Sequence, residues 1–362
     1  MFVSSFLPIK VFAGPGTNEL TKNIYHSLQR RVQSELGSEV QLKLADVSYT
    51  CFSNQNWLAQ AESVKGYFVI VVFTQTPPVS DNILALYSLL QAIANAKPED
   101  ILLVMPYMPY SRSDLKNQPH ISVMALFMAQ AINILCKVKS VLLLDPHEAH
   151  IKHFFDPWSE EVSAMYLLID YLERNFFNRQ SKKNWKIVFP DSGANDKFGK
   201  VAHLLKLPSA YIYKVRTDNS EKPKPEAIIG NVRGKDCLMF DDEILTGNTV
   251  IEDSNYLLDR KKGRARSVSM VTIHPIIENK KKSHKQLIND LENSKVRHFI
   301  TTDSVPVINK LRQAKKFTVL PVADLLAEAI WRIVRKGSIT ELHNLRNVGL
   351  YRPSSVNIFN PL

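Results

Sequence analysis

The run "CLMFDDEILTGNT" (residues 237–249) drives an apolar, strand-like stretch into two adjacent acids and then into a Thr-Gly-Asn-Thr turn. Asp241 and Asp242 repel each other and cannot serve an anion. They suit the hydroxyls of a sugar, which donate hydrogen bonds, or a magnesium ion. The turn suits the opposite charge: amides around Gly247 and Asn248 open onto a helix starting near Val250, and the positive helix end meets a phosphate there. Thr246 and Thr249 add hydroxyl donors. An acidic helix cap after a tight turn would use the same residues.

Five more stretches carry polar residues where apolar runs end. In "YIYKVRTDN" (211–219), Lys214 and Arg216 stand two apart on a strand and so project to one side, a paired positive charge suited to phosphates. In "MPYMPYSRSDLK" (105–116), Arg112 is a permanent fork-shaped cation in a Pro-bounded loop. "FPDSGANDK" (189–197) sets Asp191 before the amides of Ser192 to Ala194 at a helix start. "LLLDPHEAHIKHFFD" (142–156) carries His147, His150 and His153 in one loop with no cysteine nearby, which is a poor zinc set. "CFSNQNW" (51–57) is the last.

Short β-rich runs alternate with helix-length stretches and would bring these residues to strand ends. "IKVFA" (9–13), "VQLKLAD" (40–46), "YFVIVVF" (67–73), "ILLVM" (101–105) and "SVLLLD" (140–145) make the first half. "WKIVFP" (185–190), "SAYIYKV" (209–215), "DCLMF" (236–240), "SVSMVTIH" (267–274), "RHFITT" (297–302) and "KFTVLP" (316–321) make the second. The rhythm predicts an α/β fold of two similar domains, each a mainly parallel sheet flanked by helices, with ligands beyond the carboxyl ends of the strands. The expected boundaries are 9–158 and 159–320, then a helix at 321–336 packing back on the first domain and a tail at 337–362.

The totals exclude several classes. No apolar run reaches the length of a membrane span, and the first residues lack a basic leader and cleavage pattern. Three cysteines, Cys51, Cys136 and Cys237, form no disulfide framework and point to a reducing, cytoplasmic setting. The net charge of +11 favours anionic partners. The basic runs "RKKGRAR" (260–266) and "NKKKSHK" (279–285) contain no interleaved aromatics and read as solvated surface rather than a nucleic-acid face.

An apolar strand, two acids and a Thr-Gly-x-Thr loop resembles the ribose-5-phosphate loop of the phosphoribosyltransferase-type fold. The other stretches, in colinear order over roughly residues 9–336, are similar to the ribose-phosphate diphosphokinases, whose Lys-x-Arg pair matches Lys214 and Arg216. The resemblance implies transfer of the β,γ-diphosphoryl group of ATP to the anomeric hydroxyl of ribose 5-phosphate, with magnesium as cofactor. It implies catalytic roles for Lys214, Arg216 and His147, and magnesium contacts from His147 and Asp191. ATP contacts would come from Phe52, Asn54, Arg112, Ser113 and His147. Asp241, Asp242, Thr246, Gly247, Asn248 and Thr249 would hold the ribose phosphate. It also implies a homo-oligomer, hexamer or smaller, with adenine sites at subunit boundaries.

The chain departs from the family pattern at several points. Ser113 stands in place of Gln, Asn56 of Glu, Ala149 of a second His, Ala194 of a second Gly, and Leu245 of Asp, while Asn248 replaces a small residue. Leu245 and Asn248 make the phosphate rim apolar and bulkier. Two other expectations therefore stand beside the first: the same transfer to a larger ester such as ADP-ribose, or a silent nucleotide-binding relative that regulates a partner.

Overall fold

A computed structural model describes residues 7–37, 40–116, 118–156, 158–177, 182–215, 224–279, 281–307 and 309–352. The chain divides into two units, each built on one main sheet. Unit 1 holds Met1–Ser163, Ser304–Pro306 and Val322–Arg352. Unit 2 holds Ala164–Asp303 and Val307–Pro321.

Unit 1 runs β1 (Ile9–Ala13), α1 (Asn18–Leu36), β2 (Leu42–Leu44), β3 (Val47–Cys51), β4 (Trp57–Ala61), β5 (Phe68–Val72), α2 (Val79–Asn95), β6 (Asp100–Met105), α3 (Met124–Gln130), β7 (Ser140–Leu144) and β8 (Trp158–Val162). Its six-stranded sheet has the order β2-β1-β5-β6-β7-β8 and every pairing is parallel. The central strands "FVIVV", "DILLVM" and "SVLLL" are almost wholly buried. Helices cover both faces of such a sheet, which is why these runs are continuously apolar rather than alternating. Strands β3 and β4 form a separate antiparallel hairpin, and β4 packs on α2.

Unit 2 runs α4 (Met165–Tyr171), β9 (Trp185–Phe189), α5 (Ser192–Leu205), β10 (Ser209–Val215), β11 (Lys224–Ile229), β12 (Asp236–Ile244), α6 (Asn248–Leu258), β13 (Ser267–Pro275), α7 (His284–Asn293), β14 (Phe299–Thr302), α8 (Asn309–Gln313) and β15 (Phe317–Leu320). Its sheet order is β11-β10-β9-β12-β13-β14-β15, parallel except for the antiparallel edge strand β11. The core of one face gathers Ala210, Ile212, Met239, Val250, Leu257, Leu287 and Leu291.

The two-sheet α/β architecture is the one expected, with local differences. Strand β8 runs through the segment read as a boundary, and the division falls after Ser163. β12 continues to Ile244, four residues beyond "DCLMF", so Asp241 and Asp242 lie inside the strand and not past its end. β11 occupies part of what reads as a Pro-broken loop, because its ladder to β10 forms on both sides of Pro225. Such a proline is tolerated on an edge strand, where one side of the backbone has no partner.

The last helix, α9 (Ala323–Val334), belongs to unit 1 and packs on α1. Its buried Glu328 accepts from Arg31 Nη1 at 2.6 Å and from Arg332 Nε at 2.8 Å. Removing one partner of a buried ion pair leaves the rest uncompensated. Glu328→Ala is therefore expected to lower unfolding free energy by about 3–5 kcal/mol, seen as a lower urea midpoint. Surface Glu341→Ala should shift it by less than about 1 kcal/mol.

Candidate functional site

In unit 2, the polar residues gather where β9 and β12 deliver their chain to α5 and α6. β9 ends at Phe189, and Asp191 caps α5, its Oδ1 accepting from the Ala194 amide at 2.8 Å. Ser192 and Gly193 are exposed in the first turn of that helix. Asp241 Oδ1 accepts from the Asp242 amide at 2.9 Å, and Lys197 Nζ on α5 lies 3.1 Å from Asp242 Oδ2. Burial, then Asp242, then Asp191 hold the Asp241 carboxyl well above the usual carboxylate range. Asp191, Asp241 and Asp242 lie close enough to raise one another's cost of ionisation, and Lys197 reaches one of them.

The turn after β12 is fixed from below. The Ile277 and Glu278 amides donate to the carbonyls of Ile244 and Leu245, at 2.9 and 3.0 Å. Gly247 precedes α6 at φ +76°, and a Cβ placed there would sit 2.6 Å from Leu291 Cδ2. Only glycine combines that left-handed backbone with so close a neighbour. α6 begins at Asn248, two residues earlier than the sequence suggested, so Thr246 and Gly247 stand at its head while Asn248 and Thr249 form its exposed first turn. Leu245 is only half-exposed.

Lys214 lies on β10 beside a register shift in the β10–β11 pairing. It shares the side of the strand that buries Ala210 and Ile212, the side packed against α6. Its ammonium donates to Asp253 Oδ2 on α6 at 2.8 Å. Arg216 lies outside the described residues.

Unit 1 presents its candidates on three separate loops. Phe52 and Asn54 sit at the exposed tip of the β3–β4 hairpin, where Asn54 Oδ1 accepts from the Asn56 amide at 3.1 Å. Phe52 is 49% exposed, an aromatic face open to stacking. Arg112 is exposed after β6. Ser113 does not offer a free hydroxyl: its Oγ donates to the Ser122 carbonyl at 3.2 Å and lies 3.3 Å from the Met124 amide, so it shapes the entry to α3. His147 is half-buried just after β7, two residues beyond buried Asp145, whose φ is +41° and whose Oδ1 accepts from Ser163 Oγ at 2.5 Å. His150 Nε2 lies 3.1 Å from Asp114 Oδ2, which joins the Arg112 loop to the His147 loop.

Lys197, Asp253 and the Asp114–His150 contact escaped the sequence reading. "FPDSGANDK" does contain Lys197, but nothing local marks a helix lysine as the partner of an acid on another strand. Glu243, buried next to Asp242, was visible as the third acid in "DDE".

A family model described as the N-terminal domain of ribose phosphate pyrophosphokinase matches residues 9–135. A second, the phosphoribosyl synthetase-associated domain, matches residues 201–344. Ribose-phosphate pyrophosphokinase of Aquifex aeolicus is 29% identical over 322 residues, covering 89% of this chain and 98% of that one. Ribose-phosphate pyrophosphokinase 1 of Streptococcus pyogenes is 28% identical over 345 residues, covering 95% and 100%. The chain belongs to the ribose-phosphate pyrophosphokinase family. The crystal structure of phosphoribosylpyrophosphate synthetase from Mycobacterium smegmatis shares its fold, with a TM-score of 0.78 at 24% identity over 91% of this chain and 100% of that one. The first pyrophosphokinase match takes in Phe52, Asn54, Arg112 and Ser113, and the second takes in Lys214 and 241–249; His147 and Asp191 fall between them.

Two outcomes follow from the geometry of unit 2. A carboxyl held above its unfolded value of 3.8 binds its proton more tightly in the native protein, so its penalty is absent below that pH and grows as pH rises through the gap. Asp241→Asn should raise the melting temperature at about pH 8, with the gain gone by about pH 4. Gly247→Ala, strained at its φ and crowded by Leu291, should lose about 1–3 kcal/mol in urea unfolding.

Proposed function

We propose that this chain transfers the β,γ-diphosphoryl group of ATP to the anomeric hydroxyl of ribose 5-phosphate, giving phosphoribosyl diphosphate and AMP. The observation that carries the reading is the passage from β12 into α6, where crowded carboxylates meet a glycine turn at a helix start. That order matches an acceptor with hydroxyls at one end and a phosphate at the other.

Asp241 and Asp242 accept hydrogen bonds from the sugar hydroxyls. The hydroxyls of Thr246 and Thr249, with the amides at Gly247 and Asn248, take the 5-phosphate. Anchoring that remote phosphate converts binding into alignment of the anomeric oxygen with the β-phosphorus. Lys214 and Arg216 neutralise charge on the reacting phosphates, where electrostatics and positioning carry most of the catalysis. Phe52 stacks on adenine, Asn54 hydrogen-bonds to the base, and Arg112 holds the triphosphate. Ser113 joins this set through the loop it braces.

The acidic cluster fits a divalent cation, since the crowding that raises Asp241 is what such an ion relieves. Magnesium, when bound, supplies positive charge at the phosphate oxygens. As its contacts we keep Asp191 and, on the family motif alone, His147. Leu84, Phe127, Ile134 and Leu135 are exposed on unit 1 and support a homo-oligomer as part of the proposal. No helix among the described residues is long and apolar enough to cross a membrane; a cytoplasmic setting rests on the sparse cysteines.

The test is AMP release from magnesium and ATP with and without ribose 5-phosphate, and then with ADP-ribose. AMP dependent on ribose 5-phosphate is expected; release with ADP-ribose alone, or none from folded protein, overturns the assignment. Lys214→Ala by itself is a poor control, because it leaves Asp253 buried and unpaired, a loss of about 3–5 kcal/mol. Lys214→Ala with Asp253→Ala removes the pair together, and should be folded by circular dichroism yet inactive.

A further inference from the structure

Asp253 stands one turn beyond Thr249 on α6, and its side chain is 1% exposed. A carboxylate so placed needs a counter-charge. Lys214 provides it, with its own side chain 9% exposed. Asp253 Oδ1 is buried and has no hydrogen-bond partner among the described residues, so the lysine is this acid's one described side-chain partner. The charged groups that bear on Asp253 are Lys214 from β10, its neighbour Glu252, and Asp191 at the head of α5. Burial raises its carboxyl, Lys214 opposes that, and the two acids add to it, which together leave it raised to about 6.

An ammonium docked on this carboxylate has its charge answered inside the protein. A lysine that neutralises reacting phosphates must instead direct that charge to substrate. Its position on the inner side of β10, with Ala210 and Ile212, points it at α6, the helix that begins at the Gly247 turn.

We propose that Asp253 is a holding residue for Lys214, keeping the ammonium docked on α6 until an anionic polyphosphate competes it away. The inference rests on the reading of Lys214 given above, and it adds a restraint on that site. No covalent bond changes in the step: one N–H···O bond passes from Asp253 to a phosphate oxygen. Losing the lysine removes the influence that favours the ionised carboxyl, so Asp253 takes up a proton from solvent as Lys214 leaves. Release then becomes harder as pH rises, because that proton is scarcer.

The experiment is the pH profile of kcat for AMP formation, from about pH 5.5 to about pH 8.5, in the full-length protein and in Asp253→Asn. Asp253→Ala, which leaves room for water beside the ammonium, is made in parallel. The expected result is a several-fold higher kcat in the variants on the alkaline side, converging with the parent toward the acid side. A variant with lower kcat and an unchanged profile would overturn the proposal, and so would failure of both variants to fold, since the pair would then be a structural strut. The paired Lys214→Ala, Asp253→Ala protein separates the two levels. If it is folded and active, the catalytic reading of Lys214 fails; if it is inactive while the single variants show no alkaline gain, only the holding role fails.

Discussion

Like charges at the end of a buried strand are the constraint around which unit 2 is built. β12 is sealed on both faces up to Phe240, and then must place Asp241, Asp242 and Glu243 where solvent reaches only in part. Isolated carboxylates there would be intolerable, so the surrounding elements answer them one at a time. Lys197 reaches Asp242 from α5, the Asp242 amide answers Asp241, and the Asp191 side chain turns back to cap its own helix. Asp241 remains the member whose ionisation the protein resists most visibly. That residual tension sits beside the turn at Gly247, so the fold sets crowded carboxylates a few residues from the exposed amides at the head of α6.

The fold was legible because buried parallel strands announce themselves. "IKVFA" and "SAYIYKV" coincide with β1 and β10, and the main runs between them fall within a few residues of their strands. What escaped is half-exposed or polar. β3 and β4 carry "VSYTC" and "WLAQA", whose outward residues break the apolar run. β8 is "WSEEV", and β11 contains a proline tolerated only at a sheet edge. Each owes its strand character to a neighbour already in place and not to its own composition.

The site was legible to the extent that chemistry sits on a single loop. Asp241, Thr246, Gly247 and Asp191 are local signals, and the turn geometry at Gly247 gives the glycine its physical reason. Ser113 reads as a ligand because of where it stands in a motif, yet its hydroxyl is taken up by Ser122 and Met124. Lys197 and Asp253 are ordinary helix residues until the sheet brings Asp242 and Lys214 to them. The basic run at 260–266 also gains a context: it makes the turn between α6 and β13, where Gly234 donates to the Arg264 carbonyl, at the amino ends of the strands. It lies away from the carboxyl ends that carry the site.

Unit 1 is discontinuous in the chain, and α9 is the piece that arrives last. Arg31, on α1, finds its acid at Glu328, almost three hundred residues later. During synthesis the sheet of unit 1 can assemble its strands from β1 to β8, but one flank of α1 stays uncovered until α9 has left the ribosome. A nascent chain arrested anywhere before residue 323 would display that bare flank, with an arginine and apolar side chains side by side. The closing helix thus ties the two ends of unit 1 together, since only a chain translated through α9 can bury that flank of α1.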